Sequence, residues 1–530
     1  MENKKTKIIS IVAIVALALT VITTTYAYFN ASVGDPAAAD IKINANTVDT
    51  FTFATGNAIS FSLDQESFAS GKGNITGSTY ASALLTANNK TNTATEHYYL
   101  YLNIEDNTFT YSINESTPEI IMTITDSAGA EVTDISTLTH VIVTGANNTQ
   151  VSGYDITNKN GLITLFNNRE ITTTSSKEEK WNITITFVNY DASQNANAGK
   201  SMSAKVMIQK KLIPQVLSDV CTSGNNLATC ITTLSNKSTS TFTNIYYHNG
   251  TITTDDGIVI DANDSSYRYA GASESVKNFV CFGSDATPCP IDNLYRIIGV
   301  FGDQVKLIKY DYATSALLGT DGDYSTSIYP KDSYPTYKGS LTIIKGYYWN
   351  SSTSKNTWSE GNLNKINLNT NFITNIGTTW ANKIAATTWK VGGNTYSNII
   401  YETPSVAYQN EITTPNENGT STTGETEYTA KIGLMYVSDY RFATEPNTWT
   451  LTMDLYYNAT ATNWMYMGLP EWTISRIVDR SIDAFWVDRE GRVGADNVYN
   501  SSMVRPAFSI LPSTTYVSGD GTQNSPIIIN

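Results

Sequence analysis

Charge is in short supply in this chain: Asp, Glu, Lys and Arg make up 15% of its 530 residues, against about a quarter in an average globular protein. Lys and Arg are the scarcer sign, the formal net charge is −14, and basic residues never run beyond two in a row. Phosphate backbones are held through basic patches, so no nucleic-acid partner is expected. Histidine occurs only as His97, His140 and His248, never as H-E-x-x-H, so no histidine pair is spaced to hold a catalytic metal. The four cysteines contain no C-x-x-C, whereas a zinc site wants closer cysteine pairs or histidine partners. A G-x-S-x-G nucleophile turn and a G-x-G-x-x-G phosphate loop are also missing. There is no Leu-Pro-x-Thr-Gly tail, and residues 527–530 are too few to span a membrane. Attachment to a cell is therefore expected only through an uncut leader or by non-covalent association.

Thr, Asn, Ser and Tyr fill the space that charge leaves, with 33 tyrosines alone. Thr and Tyr favour strands, and Asn, Ser and Gly favour turns, so the composition predicts a mainly β protein. The length exceeds what one hydrophobic core organises, which predicts two or three domains.

At the N-terminus, Lys4, Lys5 and Lys7 precede an apolar run over residues 8–22, broken only by Ser10 and Thr20. Small residues then stand at Thr25 and Ala27, the −3 and −1 positions of a cleavage between Ala27 and Tyr28. This is the plan of a signal peptide over residues 1–27, and the run is short for a bilayer span of about 20 residues. An uncleaved anchor is the alternative, and in either case the remainder is expected outside the cell. Without the leader the chain has 31 basic and 47 acidic residues, a net charge of −16.

The junction Thr25-Tyr-Ala-Tyr-Phe-Asn30 resembles that of the camelysin and TasA-like family of biofilm fibre proteins, where a dedicated signal peptidase cuts before an aromatic-Phe-Asn start. A type IV pilin leader would instead carry Gly-Phe and a Glu at the fifth mature position.

Residues 28–211 read as successive strands. Phe51 and Phe53 alternate with polar residues, as do Ile59, Phe61 and Leu63. Further strands are expected over 97–104, 120–125, 140–144 and 162–166. Trp181, Ile183, Ile185 and Phe187 form the clearest case, one face buried and one wet. Their expected partner is the strand of Ala204, Val206 and Ile208, across the polar loop 191–201. Many short strands without a helical pattern predict a β-sandwich of jelly-roll type. The stretch 181–189 and the strand closing the segment also resemble the mature domain of the matrix-fibre family. Members lend strands to neighbours, which implies that residues 31–53 could complement another copy. Some relatives are named as proteases, but the metal motif for that is missing here.

Residues 212–240 change texture and predict a linker with a short helix. Cys221 with Cys230 and Cys281 with Cys289 are two local pairs, read as two small disulfide loops, with other connectivities or free thiols as the alternatives. Asp261, Asn263 and Asp264 form a cluster that could hold calcium, the one cofactor in view. Its spacing matches no EF-hand loop, and a solvated turn is the competing reading. Residues 295–301 and 304–310 predict a hairpin about Gly302-Asp303, and 363–376 a helix. Residues 412–429 read as an exposed insertion, and 431–440 as a strand running into a turn. Over residues 241–530 these elements, with 472–476, 486–493 and 504–508, resemble a domain of many exported bacterial proteins akin to the C-type-lectin-like and sulfatase-modifying-factor folds. The resemblance implies a mixed α+β lectin-like domain. In the oxidase members a cysteine pair does the chemistry, and no cysteine follows Cys289.

Trp472, Arg476, Trp486, Asp488 and Arg505 gather near the end of the chain. Aromatic faces with Arg and Asp grip sugars or peptide edges, so these five are the candidate ligand-binding residues; the competing reading makes the tryptophans core and pairs an arginine with Asp488. The expected protein is thus an exported, non-enzymatic surface or matrix component. It would self-assemble or bind a surface glycan or protein, with signal peptidase as a processing partner and the membrane met only through the leader. A glycan-active enzyme is the alternative, since two suitably spaced carboxyls suffice, and a fibre subunit without ligand is a third reading.

Overall fold

The computed structural model describes residues 49–64, 67, 72–88, 92–135, 137–190, 192–254, 256–396, 401–413 and 425–530. The leader, the Ala27–Tyr28 junction and residues 31–48 lie outside them. The described chain is mainly β with antiparallel sheets, and it divides into two compact units at Leu212 and Ile213.

The first unit has ten strands: Thr50–Thr55 (β1), Ile59–Ser62 (β2), Ile75–Thr86 (β3), Ala94–Asn107 (β4), Ile120–Thr125 (β5), His140–Thr144 (β6), Gln150–Asp155 (β7), Gly161–Thr173 (β8), Ser176–Phe187 (β9) and Ser201–Gln209 (β10). They form a six-stranded sheet in the order β1-β3-β9-β5-β7-β6 and a four-stranded sheet in the order β2-β10-β4-β8. Apolar side chains of both sheets merge in one core. Trp181, Ile183, Ile185 and Phe187 are buried as the alternation predicts, but β9 pairs with β3 and β5, whereas β10 pairs with β2 and β4. The expected pairing of β9 with β10 is therefore corrected: the loop between them carries the chain from one sheet to the other. Ala204 and Val206 meet the β9 side chains through the shared core. Phe51 and Phe53 are likewise not an unpaired stretch, since they stand opposite Leu85 and Ala83 of the same chain.

The second unit centres on a sheet of Ile245–Tyr247, Tyr267–Tyr269, Leu294–Phe301, Gln304–Lys309 and Ala507–Ile510, with Phe279–Cys281 pairing the third of these. The expected hairpin is there, and the last long strand returns from the far end of the chain to close beside it. The unit also holds two three-stranded sheets: Tyr324–Pro330, Ile343–Tyr348 and Ser501–Ser502, and Glu471–Arg476, Asp483–Val487 and Val493–Asn497. The expected helix over 363–376 is π-helical over Leu363–Phe372 and α-helical over Ile373–Asn375. Of the insertion, residues 414–424 lie outside the described set, while Glu427–Ala430 pairs with Thr387–Lys390.

Two expectations change here. Residues 212–240 are not a free linker: Leu217 and, on the helix Leu227–Lys237, Leu227, Cys230, Ile231 and Leu234 are buried in the second unit's core. Residues 431–440 are not a strand running into a polar turn. They are an extended run, bridged to Ala507 at Gly433, that enters a fully buried helix, Val437–Phe442. Asp439 organises that helix: its carboxylate accepts the Tyr436 N–H at 3.0 Å and pairs with Lys306 at 2.5 Å and Arg268 at 3.5 Å. Cys221–Cys230 and Cys281–Cys289 are disulfide-bonded, leaving no free thiol, which fits an oxidising compartment. No helix among the described residues is long and apolar enough to cross a membrane.

Candidate functional site

A cavity of about 450 Å³ opens on the second unit, lined by Ser333–Thr336, Tyr457, Tyr466, Arg489 and Glu490, a size within the range of small-ligand sites. Three local structures build it. In the 3₁₀ helix Met453–Thr462 the buried residues are Met453, Tyr456 and Ala459. A three-residue turn stacks those positions on one side, which leaves the neighbouring Tyr457 facing outward, 43% exposed. Gly468 (φ +86°) admits the Ser333–Thr336 loop, since a Cβ there would stand 1.9 Å from the Thr336 carbonyl oxygen. The Thr336 hydroxyl donates to the Gly468 carbonyl at 2.9 Å and holds the loop down.

The third piece is the turn between Asp483–Val487 and Val493–Asn497. Asp488 Oδ1 accepts the N–H groups of Glu490 at 2.9 Å and Arg492 at 2.8 Å. Gly491 (φ +89°) lets the turn settle on the body, where a Cβ would meet Thr460 Cγ2 at 2.1 Å. The Tyr440 hydroxyl donates to the Gly491 carbonyl at 3.0 Å, and that of Tyr466 to the Arg489 carbonyl at 2.5 Å. Burial holds the Asp488 carboxyl above its usual range and pushes the Tyr466 phenol up. The turn thus fixes the main chain while leaving the Arg489 and Glu490 side chains at the cavity, joined at 2.6 Å.

The five residues singled out in the sequence do not share an open face. Glu471–Arg476 is buried along its whole length, so Trp472 and Arg476 are interior. The Trp472 indole N–H donates to the Tyr347 carbonyl at 2.9 Å, and its ring lies 6.2 Å from that of its cross-strand partner Trp486, which is half-buried. Arg505 is 1% exposed and pairs with Glu471, not with Asp488, at 2.7 and 2.9 Å. Arg476 Nε and Nη2 are buried without partners, and burial lowers its guanidinium pKa. Asp488 is not in the cavity lining but holds the turn that carries Arg489 and Glu490. The residues missed were Tyr334, Tyr457 and Tyr466, and among 33 tyrosines no spacing singles out three. Arg489 and Glu490, which follow Asp488 directly, were within reach of the sequence.

Two carboxyls stand out electrostatically. Glu411 is fully buried, accepting the Val437 and Ser438 N–H groups at 3.1 and 3.0 Å and the Ser475 hydroxyl, and burial raises its pKa. Nearby Glu402, 9% exposed, is pushed up to about 7 by burial and then by the charge of Glu411, against the Asn410 amide that donates to it. An unfolded glutamate ionises near 4.5, so the folded chain holds this extra proton between that pH and about 7. Its stabilising contribution is complete below the lower value and is lost as pH rises through the upper one. Glu402→Gln is expected to raise unfolding free energy at pH 8 by about 2–3 kcal/mol and to change little at pH 5, as read by urea denaturation at both pH values. A gain of equal size at the two pH values would contradict this.

The carboxylates of the possible calcium cluster face their own chain. Asp261 accepts the N–H groups of Asn249, Gly250 and Asn263, and Asp264 pairs with Arg268 at 2.6 Å. Among the described residues no group of three or more His, Cys, Asp or Glu side chains is placed to hold a metal ion. No protein-family model, curated protein or solved structure matches the chain.

Proposed function

We propose that this chain is an exported bacterial surface or matrix protein, non-enzymatic, with a sandwich-like first unit and a lectin-like second unit that binds a glycan in the tyrosine-lined cavity. The cavity carries the reading: aromatic walls beside a charged pair suit sugar rings, which stack on aromatic faces and take charge-assisted hydrogen bonds at their edges. The two disulfides support an oxidising exterior as its workplace. The two sheets that share one core support the sandwich-like first unit. Signal peptidase, cutting after Ala27, would release the chain from the membrane.

Tyr457→Ala tests the site, because this side chain is largely exposed while the buried Tyr456 beside it anchors the helix. The variant is expected to keep its melting temperature within about 2 °C, as surface changes do, and to lose binding on a glycan array. Binding that survives the substitution would remove the cavity from the reading. The alternative, a glycan-active enzyme, is favoured by one observation, two buried carboxyls, Glu402 and Glu411, close enough for the charge of one to raise the pKa of the other. Release of reducing sugar that Glu402→Gln abolishes would establish it.

A further inference from the structure

We propose that the cavity selects an acidic sugar, of the uronate or sialate type, over a neutral one; this rests on the glycan-binding reading above. The chain as a whole is acidic, at −14, yet positive groups gather at this cavity. Arg489 lines it, with its side chain 63% exposed. The Arg492 guanidinium lies 4.8 Å from the centroid of the Tyr457 ring, and the Lys338 ammonium 4.9 Å from that of Tyr466. Cations in that position are held by the ring faces, so two charges are anchored to two of the cavity's own walls.

The negative groups are already engaged. Glu490 is the one carboxylate in the lining, and Arg489 holds it. Asp488 spends an oxygen on the turn's own N–H groups. The hydroxyls of Tyr466 and Thr336 donate to main-chain carbonyls. Three cations, Arg489, Arg492 and Lys338, thus stand against two carboxylates, Glu490 and Asp488, and the positive excess at the tyrosine rings is the complement of a carboxylate. A guanidinium binds a carboxylate with two parallel hydrogen bonds, while a neutral sugar hydroxyl offers it one weaker acceptor. The ring of the sugar would lie against the tyrosines, and its carboxylate would face Arg489 and Arg492.

The test is titration of the full chain with glucuronate-terminated and sialylated oligosaccharides against glucose- and galactose-terminated ones of equal length. Acidic probes are expected to bind at least about tenfold more tightly, with the preference shrinking as salt rises from about 0.05 to about 0.5 M. Arg489→Glu, at an exposed side chain whose main-chain carbonyl still accepts from Tyr466, should abolish the preference without moving the melting temperature. Arg492→Gln should weaken acidic probes and leave neutral ones unchanged. Equal affinity for both probe classes, or a preference that survives Arg489→Glu, overturns the proposal while leaving a glycan site in place. If no probe binds, or if Tyr457→Ala leaves binding of both classes intact, the glycan reading of the cavity fails with it.

Discussion

Glu471→Ala is expected to destabilise the second unit by about 3–5 kcal/mol, read as a fall in urea midpoint at constant slope. The Arg505 guanidinium is buried, with Nε donating to Glu471 Oε1 at 2.7 Å and Nη2 to Oε2 at 2.9 Å and to the Met465 carbonyl at 2.6 Å. Removing the carboxylate leaves a desolvated cation with two main-chain carbonyls, of Met465 and Tyr310, to answer it. A charge in that state loses far more than the net worth of the pair. The double replacement Glu471→Met with Arg505→Met should recover most of the loss, since swapping a buried pair for apolar side chains of similar size is often neutral or stabilising. The same measurement decides what Arg505 is for: an Arg505→Met variant with unchanged stability and lost ligand binding would restore it to the binding site.

A fragment starting at residue 241 is expected to be unfolded where one starting at 213 folds, by circular dichroism and limited proteolysis. Leu217, Leu227, Ile231 and Leu234 are buried in the core that also takes Ile245, Val280 and Val300. Each such side chain contributes about 1.5–3 kcal/mol by burial, so the four together approach the whole net stability of a typical domain, about 5–15 kcal/mol. The segment is also tied to the other end of the chain. Asn226 donates to the Pro512 carbonyl at 2.5 Å while its side-chain oxygen caps the helix at Thr229, and the Leu227 N–H donates to the Thr514 carbonyl at 3.0 Å. Trimming residues 512–530 should therefore loosen the helix Leu227–Lys237 as well. A well-folded 241–530 fragment would show the helix to be an accessory.

Residues 212–240 illustrate why a segment with the texture of a linker packs into the second unit. The apolar positions of Leu227, Ile231 and Leu234 mark a helix with one greasy face, but nothing in that spacing says which body the face packs on. Lys306, Arg268 and Asp439 illustrate the same gap for charge. Scattered over 172 positions from Arg268 to Asp439, they become one buried group only when the strand Tyr267–Tyr269, the Leu294 hairpin and the helix at Val437 meet. Trp472 and Arg505 read either way in the sequence for a related reason: aromatic and charged side chains near one another suit a binding face as well as a core, and nothing there distinguishes the Glu471 that neutralises Arg505 from other acids.

Sequence alone determined the properties that depend on near neighbours. Composition set the strand-rich class, period-two alternation chose the inward face at Trp181, Ile183, Ile185 and Phe187, and short cysteine spacings favoured two local disulfides, whose pairing the structure then fixed. Which strand lies beside which was decided by the tertiary structure, because alternation makes a strand equally fit to pair with β10 or to face it across a core. The cavity was decided there too. Its loop over 333–336 stands more than a hundred residues from the stretch that carries Tyr457, Tyr466 and the charged turn, and only packing around Gly468 and Gly491 brings them to one opening.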